Sequence, residues 1–478
     1  MMKPFFICTV FLFFLVFAAG CYSYTPPSPV LLGAKYTSAN RAATDQILRE
    51  TKKLSLMDAK HIAQLNNQNY LAAYHAVNAA RMRYYQALGA YAPEIHLGST
   101  VGQDMQWNSS RVNPPMTNAA GRDISFKVNS SVTASWLLFD GFARYLNVKA
   151  MQSEVRKQTA MQYKVLCMLR RAVAYAYYDI QMAQEVERIQ RENIEFQNRF
   201  YQMVKPEWEQ GKRPEDEVLN FSILSGLAQT GLIAAQYQGN VANYSLARLM
   251  GYSEGELPSE VEVHPFEDNI RQMYYSVEMC LDIALANSPE MHIMQQLLKI
   301  AEYNKYRSYS AYFPVVYAEA GYGSTQMRTQ YKAFKDSHSS FSNNSLSYGV
   351  RADWLVFDGF ARYNAMREMQ TMFAVAQFNM AETYLQIINE IRSAYANYEN
   401  NLKQVRIYRN LLKEAKKQRD LVAERYQKYH ASVDRIDKVQ AYYIDIQLQN
   451  AAVITDFNKS VAQLEAVMCI DIYARERE

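Results

Sequence analysis

Few residues of this chain are arranged in a way that could support chemistry, and Cys21 is the clearest of them. It directly follows an Ala-Ala-Gly run at the end of a positively charged and then apolar start. This pattern is typical of a secretory signal peptide, and its end resembles a bacterial lipobox. In a lipobox the cysteine sulfur receives a diacylglycerol, and the chain is cut just before it. The sequence therefore predicts a signal peptide at 1–20 and an acylated tether at 21–55. The alternative is an ordinary signal peptide with an incidental cysteine.

The other reactive side chains form no recognisable site. The seven histidines are scattered, without a ligand pair at helical spacing or a carboxylate partner in a motif. Cys167, Cys280 and Cys469 are an odd number of distant thiols, which predicts small buried side chains rather than a disulfide framework or a zinc site. There is no phosphate-binding glycine loop and no nucleophile elbow. We therefore expect no enzyme activity, no cofactor and no metal.

Composition points to long helices. The net charge of +4 over 478 residues gives no polyanion-binding footprint, so a nucleic-acid partner is not expected. Residues 142–205 and 360–478 contain neither Gly nor Pro, the two strongest breakers of regular structure. The first of these stretches would extend about 95 Å as one helix. After the signal peptide, no apolar run approaches the roughly 20 residues needed for a membrane-spanning helix.

The chain contains an internal duplication. The stretch "WLLFDGFARY" at 136–145 returns as "WLVFDGFARY" at 354–363, and "GAYAP" upstream of the first corresponds to "SAYFP" upstream of the second. The repeated unit is far longer than the repeat of a solenoid, which indicates a duplicated domain. We assign the first repeat to 56–251, an inter-repeat segment to 252–276, the second repeat to 277–469 and a C-terminal tail to 470–478.

Each repeat contains two stretches in which apolar and polar residues alternate, the pattern of strands with one apolar face. One hairpin of this kind could simply pack its apolar face on a helix of a soluble protein. Four long strands with aromatic residues near their ends also fit an outer-membrane barrel. Open strand edges are costly in lipid, so four strands would have to share a barrel with copies of the chain. The predicted strands are at about 93–107, 124–138, 314–327 and 344–356.

The repeated motif has a predicted structural role where each second strand ends and a long helix begins. Its aspartates can cap the first turn of the helix, its glycines permit unusual backbone angles, and its tryptophans suit a membrane interface. These pairs are Asp140 and Asp358, Gly141 and Gly359, and Trp136 and Trp354.

Together these features resemble the TolC-type outer-membrane efflux family. The signal, the duplicated helix–β-hairpin–long-helix unit and the Phe-Asp-Gly motif after each second strand carry the resemblance. "ALANSPEM" at 284–291 and "RYQKYHASVDRIDKVQA" at 425–441 are similar to two further family motifs. The resemblance implies a mainly α chain with a membrane β-barrel: a homotrimer whose 12-stranded barrel in outer-membrane lipid continues as a periplasmic α-helical barrel.

The resemblance also implies function and partners. Such a protein is a passive exit duct of a tripartite efflux pump or a type I secretion system. It receives substrates from a periplasmic adaptor (membrane fusion) protein and an inner-membrane transporter. The alternative is a structural coiled-coil outer-membrane lipoprotein without a pore.

The gate of such a duct is expected where the long helices turn. Aligning the copies places Gly211 against Ala431 and Glu217 against Asp437. The resemblance puts acidic gate residues at the positions of Asp437 and Gln440, of which only Asp437 keeps the carboxylate.

Asp434, one helical turn before Asp437, could add a second negative ring that favours cations. The alternative for both aspartates is a solvated first-turn carboxylate stabilised by the helix dipole. In the first copy, Pro206 and Pro214 predict a break or kink of the descending helix near residue 205.

Overall fold

The structure is a computed structural model. The predicted signal peptide, Cys21 and most of the tether lie outside the described residues. The described part divides into two compact units. The helical unit comprises residues 53–71, 169–272 and 397–463, and the sheet unit comprises 72–168, 273–396 and 464–470. The described residues are 53–108, 121–252, 255–258, 261–268, 270, 272–331 and 337–470.

Helices dominate the described chain. A short parallel pairing joins β1 (Lys53–Leu54) to β4 (Glu262–Val263) in the helical unit. A single 3₁₀ turn at Ser310–Tyr312 precedes the second hairpin. The helices are α1 (Leu56–Asn66), α2 (Gln68–Gly89), α3 (Ala143–Glu209), α4 (Glu215–Leu249), α5 (Val277–Asn287), α6 (Pro289–Tyr309), α7 (Ala361–Gln427) and α8 (Val433–Met468).

The two long helices, α3 and α7, each have 67 residues. The predicted break of the first one near residue 205 is wrong, because α3 continues through Pro206 to Glu209. A proline removes one helical hydrogen bond and crowds the preceding turn. Glu207, directly after the proline, pairs with Arg213 and Tyr429, so tertiary contacts hold the last turn in helical form.

The equal lengths of α3 and α7 also correct the alignment of the two copies at the tips. Gly211 (φ 70°) and Tyr429 (φ 62°) occupy the same left-handed position after the two helices. The next residue in each turn donates its N–H five residues back, from Lys212 to Glu207 and from His430 to Arg425, both at 2.8 Å. Gly211 therefore corresponds to Tyr429 and not to Ala431. The copies are offset by 218 residues here, which removes the predicted pairing of Glu217 with Asp437.

The four long strands form one antiparallel sheet in the order β2-β3-β5-β6. Among the residues that the structure describes, β2 and β6 each pair on one side only, so the sheet has two open edges. The first three strands cover their predicted ranges, with each end at most one residue short of the predicted end. The fourth ends at residue 353, before the predicted end at 356. The strands are β2 (Glu94–Asn108), β3 (Gly121–Phe139), β5 (Val315–Tyr331) and β6 (Ser337–Asp353).

Register brings the apolar residues of all four strands onto one face. Leu97, Val132, Tyr322 and Leu346 lie side by side across the sheet, and their side chains are substantially exposed. Four rows of this kind adjoin the helices, spanning roughly 20 Å along the strands. Farther from the helices the same face becomes polar in the second hairpin. The opposite face carries Ser, Thr, Gly, His and charged residues in the matching rows, apart from Leu137 and Tyr317 in the row nearest the helices.

Helix α8 buries a residue at every third or fourth position, the spacing of a coiled-coil seam. The half of this seam toward the C-terminus is apolar, as at Ile454 and Phe457, both fully buried. The half toward the hairpin turn is mixed, because Gln440, Gln447 and Asn450 are buried there together with Ile436, Val439 and Tyr443.

One helix among the described residues, α4, is apolar and long enough by length and composition to cross a membrane. The expectation that no later segment is this apolar is therefore wrong for α4. Helix α4 contains no continuous apolar run, because its apolar residues form two stripes that are separated by polar residues. One stripe packs inward through Val218 and Phe221, and the other is exposed. The exposed stripe consists of Leu219, Ile223, Leu227, Ile233, Tyr237, Val241 and Tyr244.

Candidate functional site

Helices α3 and α4 form one helical hairpin, and α7 and α8 form a second. The two hairpins meet at their tips around Arg213. Its side chain is only 6% exposed, although it lies in the turn between α3 and α4. The Nε atom donates to Glu207 Oε2 at 2.5 Å, and one terminal nitrogen donates to Glu217 Oε2 at 2.7 Å. The first hairpin thus supplies a guanidinium held between two carboxylates.

The second hairpin closes over this group with two tyrosines. The guanidinium of Arg213 lies 4.6 Å from the ring centre of Tyr426 and 4.7 Å from that of Tyr429. The Tyr426 hydroxyl donates to Glu217 Oε2 at 2.5 Å, and the Tyr429 hydroxyl donates to Glu207 Oε1 at 2.8 Å. These five residues link the hairpins through charge-assisted hydrogen bonds and cation–π contacts. We call them the tip latch.

The protonation states of the latch follow from these contacts. Burial opposes the charge of Arg213, but hydrogen bonds to Glu217 and Glu207 outweigh burial and raise its pKa. Burial likewise opposes ionisation of Glu207, yet hydrogen bonds from Tyr429 and Arg213 lower its pKa. Burial and the neighbouring Glu217 raise the pKa of Tyr426 far above its ordinary value. At neutral pH the latch therefore holds a charged arginine, an ionised Glu207 and two neutral phenols that donate.

Packing fixes the tyrosines in place. Tyr426 is 1% exposed, and its ring contacts Phe200 and Phe221 at centroid distances of 5.6 and 5.9 Å. Tyr429 has a left-handed backbone, which costs a non-glycine residue about 1–2 kcal/mol. Its contacts with Glu207 and Arg213 help to offset this strain, together with the hydrogen bond from the His430 N–H to the Arg425 carbonyl within the turn.

The predicted gate residues lie beside the latch. Asp437 is half-buried and accepts a short hydrogen bond from the side-chain amide of Asn220. Burial raises its pKa; the bond from Asn220 opposes this, and nearby Asp434 and Glu217 add to it. Asp434 is exposed in the first turn of α8.

Gln440 differs from the two aspartates. It is 3% exposed and donates to Asn193 at 2.8 Å in the contact between α8 and α3. Its amide lies in the interior of this chain, and its role in a gate stays a prediction.

The two strand-to-helix turns have the same internal contacts. Asp140 Oδ2 accepts from the backbone N–H and Nε of Arg144 at 2.9 and 3.0 Å. Arg144 also donates to the carbonyl of Ala90 at 3.2 Å. Trp136 Nε1 donates to the carbonyl of Tyr91 at 2.9 Å. These bonds tie the start of α3 and the end of β3 to the turn that precedes β2.

The second copy repeats this pattern. Asp358 Oδ2 accepts from the N–H and Nε of Arg362 at 3.0 and 2.8 Å, and Trp354 Nε1 donates to the carbonyl of Tyr312 at 3.2 Å. Gly141 and Gly359 have φ of 65° and 66°. At Gly141 an added Cβ would lie 2.7 Å from a backbone oxygen, so both space and backbone angle require glycine there.

The cysteines differ from the prediction. Cys167 in α3 and Cys469 after α8 form a disulfide, with Cα atoms 5.6 Å apart and 302 residues between them in sequence. Only Cys280 is a free buried thiol among the described residues. Pairing a cysteine in one helix with a cysteine just after another requires knowing how the two helices pack, which spacing does not reveal.

Sequence reasoning missed Arg213, Tyr426 and Tyr429. Arg213 lies between prolines in a turn, where a charged residue usually implies solvent. The available signal was the run Arg-Tyr-Gln-Lys-Tyr at 425–429, because two tyrosines three residues apart near a turn can cover a partner on one helix face.

A duplicated chain of this kind, with an apolar-faced, open-edged sheet and long helices that meet in a charged latch, has the architecture of an outer-membrane channel subunit. The match to known families agrees. The chain belongs to the outer membrane efflux protein family, which it matches over residues 60–252 and 280–468. An exit-duct role follows from this membership, and a pore-less spacer is not favoured.

Individual relatives are distant in sequence. The chain is 23% identical over 376 residues to the alkaline protease secretion protein AprF of Pseudomonas aeruginosa, covering 76% of this chain and 73% of that protein. Its fold is similar to the outer membrane protein VceC of Vibrio cholerae, with a TM-score of 0.69 and 13% identity over 86% of this chain and 95% of that one. It is also similar to the open state of the MtrE outer membrane channel of Neisseria gonorrhoeae, with a TM-score of 0.69 and 14% identity over 87% and 89% of the two chains.

Proposed function

We propose that three copies of this chain form an outer-membrane exit duct with a gate at the helical tips. The observation that carries this proposal is the four-stranded sheet with an apolar face and two open edges. In lipid, each unpaired backbone group at such an edge costs several kcal/mol, so the edges must be paired. Three chains give a closed ring of 12 strands, and closed rings are how membrane sheets remove their edges.

The helical unit supports the same assembly. The exposed stripe of α4 is apolar over its whole length, and α7 exposes Ile407, Leu411 and Leu421. A continuous row of exposed apolar side chains along a helix marks an interaction face. In a ring of identical chains, α4 of one subunit and α7 of the next cover each other, which is a head-to-tail contact that closes by rotation.

The gate consists of the tip latch and the acidic residues beside it. While Arg213, Glu217 and Tyr426 hold the hairpins together, the tips are closed. Three symmetry-related copies of Asp437, with Asp434 one turn away, form the negative rings that favour cations and repel anions. The gate opens when an outside contact replaces the bonds of the latch, so the duct itself consumes no energy.

The partners of the duct are a periplasmic adaptor protein and an inner-membrane transporter. The name of the relative AprF links it to secretion of a protease, which supports export of polypeptide as one cargo class. Small-molecule efflux is the other, and the transporter decides between them. Acylated Cys21 anchors the start of the mature chain in outer-membrane lipid, and Trp136 and Trp354 lie at the membrane interface.

The proposal is tested by isolating the full-length protein from outer membranes in mild detergent and reconstituting it in planar bilayers. We expect trimers that resist SDS until heated, and cation-selective conductance. A monomer in detergent, or protein released completely by cleaving its lipid anchor and without conductance, would overturn the proposal in favour of the spacer.

A further inference from the structure

We infer that the seam between two neighbouring chains repeats the seam between the two repeats within one chain, which fixes the register of β6 against β2 of the next subunit. The partner is a second copy of this chain, and the inference rests on the proposed ring. Its basis is that one seam of the same kind is already formed inside the chain, between β3 of the first repeat and β5 of the second.

The internal seam has a defined register and a packed base. Val132 lies opposite Tyr322, and Trp136 lies opposite Ala318. At the base, the Ser310 hydroxyl donates to the Gly141 carbonyl at 2.7 Å. The rings of Phe139 and Phe313 meet edge to face with centroids 6.3 Å apart. The turn after β3 therefore packs on the turn that precedes the next hairpin.

The two repeats have the same local geometry, which justifies transferring this register. The motif contacts of Trp136 and Arg144 recur in the second copy with the same partner atoms. Trp136 corresponds to Trp354, an offset of 218 residues, and Pro93 corresponds to Pro314, an offset of 221. Applying these offsets to the β3–β5 pairs gives the pairs of β6 with β2 of the next chain.

Differences in burial show which surfaces lack a neighbour. Gly141 is buried, whereas an added Cβ at Gly359 would meet nothing within 4 Å. Phe139 is half-buried under Phe313, whereas Phe357, its counterpart, is 70% exposed. The turn after β6 is thus the same structure as the turn after β3, without the covering turn. In the ring, the turn at Gly89–Ala92 of the next chain covers it.

Among all the pairs that the transferred register gives, five match in a chemistry that was not used to derive it. Each pair matches apolar with apolar residues on the lipid side, or glycine with glycine on the inner side. A shift by one residue would turn every side chain of one strand to the wrong face. The pairs, with the residue of β6 or its continuation first, are Val356 with Ile95, Trp354 with Leu97, Val350 with Val101, Gly349 with Gly102, and Leu346 with Met105.

The same register explains why β6 ends early. In the first repeat, β2 begins at Glu94 opposite Ser135, and the last residues of β3 pair only with β5. In the second repeat, the equivalent residues 354–357 have no β5-like neighbour among the described residues of the chain. Their alternation continues to Val356 as the sequence predicts, and β2 of the next subunit supplies the pairing that extends the strand.

Gly349 and Gly102 provide the test, because an added Cβ meets nothing within 4 Å at either position. Directly opposed residues in antiparallel strands have Cα atoms about 4.5–5.5 Å apart, within the range of a disulfide. We would introduce Gly349→Cys and Gly102→Cys together into the full-length protein and oxidise isolated outer membranes. Val350→Cys with Val101→Cys is the second pair, in case a cysteine on the inner face impairs folding.

We expect the double variant to shift from monomer to covalent dimer and closed trimer on reducing-agent-free denaturing gels. Controls are each single variant and Gly349→Cys combined with Thr100→Cys or Asp104→Cys, which place Cα atoms roughly 8 Å apart. These should stay monomeric after denaturation.

The register would be overturned if native trimers form but a shifted control pair crosslinks, or if neither predicted pair crosslinks in them. Either result would leave the proposed exit-duct function standing. Absence of native trimers in the unmodified protein would overturn the proposed function and this inference together.

Discussion

Removing one hydroxyl from the tip latch should open the duct. In Tyr426→Phe the ring keeps its contacts with Phe200 and Phe221 and its position under Arg213. Only the hydrogen bond from the phenol to Glu217 is lost. Because this bond joins the two hairpins, its loss weakens the closed tips without removing packing.

The size of the effect follows from the charge and burial of the acceptor. A hydrogen bond to a charged group contributes about 1.5–3 kcal/mol. The donor Tyr426 is 1% exposed and the side chain of the acceptor Glu217 is 16% exposed, so the bond is largely shielded from solvent. Glu217 keeps its bond to Arg213, which favours a value near 2 kcal/mol for each chain. Three chains that open together lose roughly 6 kcal/mol. Reversing a closed-to-open ratio of 99 to 1 requires about 5.5 kcal/mol.

The assay is single-channel recording in planar bilayers with purified trimers. We expect Tyr426→Phe to change a mostly closed channel into a mostly open one, with trimer stability to heat unchanged. Tyr443→Phe is the matched control, since Tyr443 is 6% exposed but its hydroxyl contacts only Gln447 of the same helix among the hydrogen bonds described. Equal open probability in folded Tyr426→Phe and wild-type trimers would refute the role of the latch in closure.

Three further predictions concern other residues. The raised pKa of Asp437 means that its ionisation disfavours the packed tip, so packing gains stability as pH falls through that pKa, and cation selectivity is lost at a higher pH than for an ordinary aspartate. In reversal-potential measurements, Asp437→Asn should lower cation selectivity to the part that Asp434 supplies and should remove the pH dependence that comes from the raised pKa of Asp437; an unchanged pH profile would contradict this. Cys167→Ser should lower the free energy of unfolding by about 2–4 kcal/mol, measured by denaturant titration without reductant, and dithiothreitol should then have no further effect on the variant. Cys21→Ala should abolish labelling by radioactive palmitate while trimers still form; persistent labelling would place the acyl chain elsewhere.

Local pattern determined much of this protein. The duplicated motif predicted two equivalent turns, and both contain the same aspartate and tryptophan bonds. Alternation predicted four strands with one apolar face, because neighbouring residues of a strand point to opposite sides whatever else the chain does. The absence of Gly and Pro predicted α3 and α7, since a helix is built from contacts between residues close in sequence.

Only the tertiary structure decided which distant residues meet. Arg213 and Tyr426 are far apart in sequence, as are Cys167 and Cys469, and their contact depends on how the helices pack. Helix α3 continues through Pro206 because Glu207 contacts the other hairpin and these contacts hold the last turn. Helix propensities of the neighbouring residues do not include such a contact. Sequence periodicity specifies the faces of each element, whereas packing between those faces selects their partners. For this reason the sequence alone predicted the strands and long helices, but the latch and the disulfide emerged only from the folded chain.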